Sequence, residues 1–146
     1  QFDAMRGWII SEFPKNDSLN TLAASMVYHG KILYLMDALF PNDSAHYKIG
    51  YEPRDIIWCN KSESNVWLYM MDKKLLFSTD RFMIKKMIDI GPFTAAFSSN
   101  SPDMIGRWVG WQIVKEYMKK NPSISIQELM KENDYHKILM ESKYSP

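Results

Sequence analysis

The chain has 146 residues, of which 46% are hydrophobic and 24% are charged. This length suits one domain with one core, and this balance excludes a disordered chain. The formal net charge of +1 gives no electrostatic reason to expect a nucleic acid partner, and the single cysteine, Cys59, excludes an internal disulfide or a cysteine metal cluster.

The first two helices are predicted from apolar spacing and from stop signals. Residues 2–13 place apolar side chains on one side, and Pro14 ends this helix because proline lacks the backbone N–H that a helix interior needs. A longer helix is predicted over residues 18–40, with Asp17 or Ser18 as its N-cap. This second segment is apolar on nearly all sides, so we expect it to be the central helix of the domain.

The middle of the chain reads as a loop followed by two helices. Residues 41–51 have the composition of a loop, and proline at position 53 opens a helix that extends to about residue 74. The polar run over residues 60–65 marks the place where a break or kink of this helix is expected. Asp80 is a typical N-cap residue and predicts a further helix that ends near Asp89.

The stretch 101–122 has the clearest start and stop signals in the chain. Ser101 is predicted as the N-cap, and Pro102 occupies the first helical position, where its missing N–H has no cost. Asn121 and Pro122 form the stop signal. Apolar residues occupy more than one stripe of this helix, so we expect it to be largely buried.

Glycines lie in the interiors of both long apolar helices. Gly30 lies in the middle of the central helix, and Gly106 and Gly110 share a face of the helix in 101–122. Each glycine costs up to about 1 kcal/mol relative to alanine in a helix interior, which requires a compensating gain. We predict that Gly30 and the Gly106/Gly110 face mark close helix crossings, and contact between these two faces is one arrangement that would satisfy the prediction.

Two short helices complete the chain. Ser125 and Glu128 form a capping box for a helix that ends near Glu132, and Asp134 caps a last helix that extends to about Lys143. We find no convincing period-two alternation and therefore predict no strands. The predicted fold class is all-α, with residues 1–146 forming a single compact domain of six or seven helices.

The titratable residues do not form a complete catalytic set. The three histidines are scattered, and no HExxH motif or phosphate-binding glycine loop is present. His29 has either a structural or a ligand-binding role, whereas Asp37 is expected to pair with a lysine or arginine. Arg107 is expected to form a salt bridge with a carboxylate if it is buried, with substrate binding as the alternative, and Cys59 is expected to be a small buried apolar residue. The candidate pocket or interaction residues are His29, Tyr34, Arg107, Trp108, Trp111 and Gln112.

Several stretches together resemble one protein family. They are LAASMVYHGKILYLMDALFP (22–41), YKIGYEPRDIIWC (47–59), NVWLYMMDKKLLFSTD (65–80), GPFTAAF (91–97), SPDMIGRWVGWQIVKEYMKKNP (101–122) and ILMESKYSP (138–146). In this order they resemble the C-terminal half of the gliding-motility lipoprotein GldB and its relatives. The chain begins QFDAMRGW without an initiator methionine, so we expect it to be the later part of a longer polypeptide.

The resemblance implies a function in the cell envelope. Members of the family are lipoproteins associated with the motility machinery, which is coupled to a dedicated secretion system. We therefore expect a non-catalytic, periplasm-facing protein of the envelope or outer membrane, anchored by an N-terminal lipid outside this chain. Its expected partners are other envelope proteins of the motility and secretion complex, with no nucleic acid and no cofactor.

The same family more distantly resembles predicted zincin-type zinc peptidases, and this implies an alternative function. In those proteins an HExxH helix comes first and a later Glu-Gly pair supplies the third zinc ligand, a position that His29 and Gly30 occupy here. Histidine can bind zinc, but it departs from the peptidase pattern. The alternative is thus the C-terminal half of a metallopeptidase whose HExxH lies upstream, with zinc near His29.

Overall fold

The computed structural model describes residues 1–16 and 20–146, and over these residues the chain contains eight helices and no strand. The helices are α1 (Phe2–Glu12), α2 (Leu22–Leu39), α3 (Ala45–Ile49), α4 (Pro53–Asp72), α5 (Arg81–Ile88), α6 (Ile105–Lys120), α7 (Ile126–Lys131) and α8 (Tyr135–Ser142). The all-α prediction is confirmed. None of the described helices is both long and apolar enough to span a membrane.

Helix α2 is central, as its apolar sequence predicts. It packs most extensively against α6 and also contacts α1, α3, α5, α7 and α8. Met26, Ile32 and Met36 of α2 are buried, and so are Trp108 and Val114 of α6. A helix that is apolar on most sides is shielded from water only when other elements pack around it. The remaining helices pack around α2 and α6 in this way.

The glycine prediction is confirmed, because the glycines of α2 and α6 meet each other. A Cβ atom built on Gly110 would lie 1.7 Å from the Met26 carbonyl oxygen, and one built on Gly30 would lie 2.2 Å from the Gly110 carbonyl oxygen. Both obstacles are backbone atoms, which cannot move aside as a flexible side chain can. A Cβ atom on Gly106 would lie 2.8 Å from Ile88 Cδ1 and 3.0 Å from the Met87 carbonyl oxygen of α5.

The predicted start of α6 is wrong. The helix begins at Ile105, and Met104 is its N-cap, with a left-handed backbone at φ 53°. The Ser101 hydroxyl instead shares its one hydrogen between the carbonyl oxygens of Ser98, at 2.6 Å, and Thr94, at 3.2 Å, and it accepts from the Thr94 backbone N–H. Ser101 therefore stabilises the loop before α6 rather than the helix end. The predicted stop is confirmed, because Asn121 is the C-cap.

Two further predictions need correction, and both concern where helices begin or continue. Helix α2 starts at Leu22, and the Thr21 side chain caps it by accepting from the Ala24 backbone N–H; the predicted caps, Asp17 and Ser18, lie outside the described residues. Helix α4 continues through the polar run at residues 60–65 without a break. That run lies partly on the solvent side of the helix, where polar residues agree with a continuous amphipathic helix.

The predicted loop over residues 41–51 contains the short helix α3, which raises the helix count above the six or seven expected. Three predicted N-caps are confirmed. The Asp80 carboxylate accepts from the backbone of Phe82 and Met83, and the Asp134 carboxylate accepts from the Lys137 backbone. Ser125 begins α7 with the predicted capping box.

Candidate functional site

A small cleft between α1, α2, α3 and α6 brings together two of the predicted site residues, His29 and Arg107. The cleft has a volume of about 20 Å³, which is room for about one water molecule. It is lined by Arg6, Ile10, His29, Ile32, Leu33, Ile49 and Arg107. The sequence places these residues on separate elements, and the close approach of α2 to α6 brings His29 next to Arg107.

His29 lies in a cationic and largely apolar setting. The pKa of His29 is lowered to about 3, mainly by burial and to a smaller extent by the positive charges of Arg107 and Lys15. The imidazole is therefore neutral at pH 7. Among the described residues, no protein group lies within hydrogen-bonding distance of its ring nitrogens. The imidazole is part of the half-buried wall of the cleft.

Arg107 differs from its prediction, because no carboxylate of the described residues lies within 4.0 Å of its guanidinium. Its Nε donates to the Ile88 carbonyl oxygen at 2.8 Å. Burial lowers the pKa of Arg107, and the nearby carboxylates of Asp89 and Asp103 act in the opposite direction. The carbonyl oxygen of Ile88, at the C-terminal end of α5, is thus the hydrogen-bond partner of Arg107 in place of the expected carboxylate. A carbonyl at a helix C-terminus carries partial negative charge, which suits a guanidinium.

Arg6 belongs to the cleft but was not among the predicted residues. Its guanidinium donates to the carbonyl oxygens of Tyr47 and Lys48 and forms an ion pair with Asp3. These bonds join α1 to α3. Burial and the charge of Arg107 lower the pKa of Arg6, so the two guanidinium groups interact unfavourably across the cleft.

The cleft does not fit a divalent cation. Among its described lining residues, the single candidate ligand is the neutral imidazole of His29, and the other polar side chains, Arg6 and Arg107, are cations that repel a metal ion. Within the described part of the chain, no group of three or more histidine, cysteine, aspartate or glutamate residues is arranged to hold a metal. The residues around His29 therefore do not fit the zinc site that the peptidase alternative requires.

The low pKa of His29 predicts a loss of stability in acid. The pKa of His29 is 6.5 in the unfolded chain and about 3 in the folded protein. Between these two values the unfolded state binds more protons than the folded state, so the free energy of unfolding decreases as the pH is lowered. From pH 7 to pH 4, we expect His29 to account for about 2 kcal/mol of lost unfolding free energy, allowing for its partial exposure. Urea unfolding of the wild type and of His29→Gln at both pH values measures this difference.

The control for this prediction is His46→Gln, which removes an imidazole outside the cleft. The His46→Gln variant should keep the acid-dependent loss that His29 causes, whereas His29→Gln should show a smaller loss. Equal pH dependence of His29→Gln and the wild type would contradict the predicted protonation state.

Trp111 belongs to a separate polar cluster with Asp37, which confirms that Asp37 pairs with a lysine. The Asp37 carboxylate forms an ion pair with Lys48 at 2.9 Å and accepts from the Trp111 indole N–H at 2.8 Å. Lys115 lies over the Trp111 ring, 4.3 Å from its centroid. This ion pair holds α3 against α2; the Lys48 side chain is only 5% exposed, and the Asp37 side chain is 29% exposed.

The remaining predicted site residues do not join the cleft. Trp108 is buried in the core, and Gln112 donates from its side chain to the Trp108 carbonyl oxygen within α6. Tyr34 is half-buried against the core. Cys59 is fully buried, as predicted, and burial raises the pKa of its thiol.

A larger cavity around Lys31 was not predicted. Lys31 is the only charged residue of α2 before Asp37, and its side chain is buried. The signal that could have revealed it is a lysine in the middle of a mostly apolar helix, since a buried ammonium requires acceptors.

The comparisons with known proteins identify a family. The family model described as "Gliding motility protein GldB", a lipoprotein family, matches residues 1–146. The comparisons with curated proteins and with solved structures gave no match. The match covers the whole chain, including the glycine contact between α2 and α6 and the cleft at His29. The chain belongs to the gliding motility protein GldB family.

Proposed function

We propose that this chain is the protein-contact part of a non-catalytic, lipid-anchored envelope lipoprotein that acts with the gliding-motility and secretion machinery. Membership of the GldB family carries this proposal, because it associates the chain with gliding motility and with lipoproteins. In this function the helical domain faces the periplasm, and its partners are other envelope proteins. The proposal needs no cofactor and no nucleic acid.

An exposed face of α4 supports a role in protein contact. Ile57, Leu68 and Met71 are 57%, 63% and 52% exposed, although all three are large apolar residues. They recur at helical spacing together with the exposed residues Lys61 and Ser64, and so form one stripe along α4. Exposed apolar residues that line up on a helix, with polar residues between them, are suited to pack against a second amphipathic helix.

The buried side of α4 leaves this stripe available. Cys59, Val66, Trp67 and Met70 attach the helix to the rest of the domain. Trp67 also packs edge-to-face on Tyr144, with ring centroids 4.8 Å apart. The helix is therefore held in place without using its outer stripe, and we propose that the stripe docks a helix of an envelope partner.

The metallopeptidase alternative has weaker physical support. Arg6 and Arg107 line the same cleft as His29, and two cations beside this imidazole oppose zinc binding. We therefore favour the non-catalytic function. One equivalent of zinc bound to the purified full-length protein, and lost in His29→Gln, would reverse this preference.

The test uses full-length protein in a gliding bacterium that encodes it, with a photocrosslinking amino acid at position 68. We expect crosslinks from this position to an envelope protein of the motility or secretion complex, identified by mass spectrometry. We also expect the double variant Leu68→Gln/Met71→Gln to lose gliding while it accumulates normally, because polar side chains remove the apolar contact.

The matched control is position 140 on α8, where Met140 is 67% exposed and lies outside the stripe. Crosslinking from position 140 should not yield the same partner, and Met140→Gln should glide normally. Normal gliding of the double variant, together with no envelope partner crosslinked from position 68, would refute the docking function of α4.

A further inference from the structure

A cavity of about 290 Å³ lies between the end of α1, the middle of α2 and the segment from α7 to α8. This volume corresponds to about ten water molecules. The lining residues are Glu12, Phe13, Pro14, Tyr28, Lys31, Met130, Lys131, Asn133 and Tyr135. The cavity is separate from the His29 cleft, and the GldB family match does not assign it a role.

Lys31 is the residue that gives this cavity its chemistry. Its side chain is buried, yet no carboxylate of the described residues lies within ion-pairing distance of its ammonium. The ammonium donates instead to the Glu132 carbonyl oxygen at 2.6 Å and to the Met130 carbonyl oxygen at 3.2 Å. Since an ammonium has three N–H donors, two carbonyl acceptors leave one donor to be satisfied.

The charge of Lys31 persists at neutral pH. Burial lowers its pKa to about 8, and the nearby Glu132 carboxylate acts in the opposite direction. At pH 7 the side chain is therefore mostly an ammonium. A buried positive charge whose hydrogen-bond acceptors are all neutral is stabilised when an anion binds next to it.

The walls of the cavity suit the apolar part of a ligand. Tyr135 lies beside the ammonium, with its ring centroid 5.3 Å from Lys31 Nζ. Phe13 and Met130 provide further apolar surface. At the exposed rim, Lys131 adds positive charge and Glu12 adds negative charge, so the strongest attraction for an anion lies at the buried end.

We propose that this cavity binds a small carboxylate, with an oxygen of the ligand on the Lys31 ammonium and its apolar body against Tyr135, Phe13 and Met130. The same chemistry is offered by a free aromatic or aliphatic acid and by the C-terminal carboxylate of a peptide. The contact with Lys31 makes the charge of the ligand the main determinant of affinity, because a buried charge-assisted hydrogen bond is stronger than a neutral one.

Calorimetric titration of the purified chain at pH 7 tests this proposal with benzoate and with benzamide. These probes have nearly the same shape and differ in charge. We expect benzoate to bind at millimolar concentration or tighter, and benzamide to bind about tenfold more weakly or not at all. The tripeptide Gly-Gly-Phe, with a free or amidated C-terminus, distinguishes a peptide end from a free acid.

The variant Lys31→Met should lose about tenfold or more in benzoate affinity, whereas Lys119→Met, which removes an exposed lysine of α6, should keep it. If Lys31→Met does not fold, the comparison of benzoate with benzamide on the wild type decides alone. Equal binding of the two probes, no saturable binding of benzoate or of the free peptide, or unchanged affinity in a folded Lys31→Met variant would overturn the proposal.

Discussion

Replacing Gly110 by alanine is expected to cost about 3–5 kcal/mol of unfolding free energy, although it adds a single methyl group. The new Cβ would lie 1.7 Å from the carbonyl oxygen of Met26, which belongs to the backbone of α2. Neither helix can relieve this overlap by a change of rotamer, so α2 and α6 must separate. Separation would loosen the most extensive helix contact of the domain.

The matched control is the same substitution at Gly7 of α1, where a Cβ atom would meet no atom of residues 1–16 or 20–146 within 4 Å. Gly7→Ala should stabilise the protein by about 0.5–1 kcal/mol, because alanine favours the helix and restricts the unfolded chain. Urea unfolding at pH 7 measures both variants. A neutral effect of Gly110→Ala, or of the larger Gly110→Leu, would show that α2 and α6 do not pack as closely as described.

The second large effect is expected at Asp37. Asp37→Ala should cost about 2–4 kcal/mol, because it leaves the buried Lys48 ammonium without its counter-ion, while the partial exposure of the Asp37 side chain keeps the loss below that of a fully buried pair. It also removes the acceptor of the Trp111 indole N–H, which lies 2.8 Å from the carboxylate. The Lys48 side chain is 5% exposed and the Asp37 side chain is 29% exposed, so water reaches the site of the carboxylate more easily than it reaches the ammonium.

Two variants check that burial is the cause. Arg54→Ala breaks an ion pair with Glu52 in which both side chains are more than two-thirds exposed, and it should cost less than about 1 kcal/mol. The double variant Asp37→Leu/Lys48→Met removes both charges and should be about 1–2 kcal/mol more stable than Asp37→Ala. Equal losses for Asp37→Ala and Arg54→Ala would contradict a buried, charge-dependent contact between α2 and α3.

These two predictions concern the scaffold, and the functional proposals can be tested apart from it. The stripe on α4 is exposed, and the residues that line the Lys31 cavity do not include Asp37, Lys48 or Gly110. A variant such as Leu68→Gln/Met71→Gln should therefore change contact with partners without a large change in the free energy of unfolding. Surface substitutions away from caps and buried charges usually have small effects on stability.

The candidate site could be predicted only in part. Asp37 was correctly predicted to pair with a lysine or an arginine, because a carboxylate on an apolar helix needs a cation, and its partner is Lys48. Arg107 was expected to pair with a carboxylate, but the C-terminal carbonyl of Ile88 takes that role. Every residue has a backbone carbonyl, so the sequence does not indicate which carbonyl oxygen will accept a hydrogen bond from Arg107. The sequence alone therefore could not show that Ile88, rather than a nearby carboxylate, is the partner of Arg107.

The sequence by itself determined the all-α class, the central position of α2 and the caps at Asp80, Ser125 and Asp134, because apolar period and capping are local properties. It also indicated that Gly30 and Gly110 mark close contacts, since glycine in a helix interior has a cost. Only the tertiary structure decided that these glycines contact each other, that α6 begins at Ile105, and that Lys31 faces a cavity. Each of these depends on atoms far apart in the chain, whose distances are set when the helices pack.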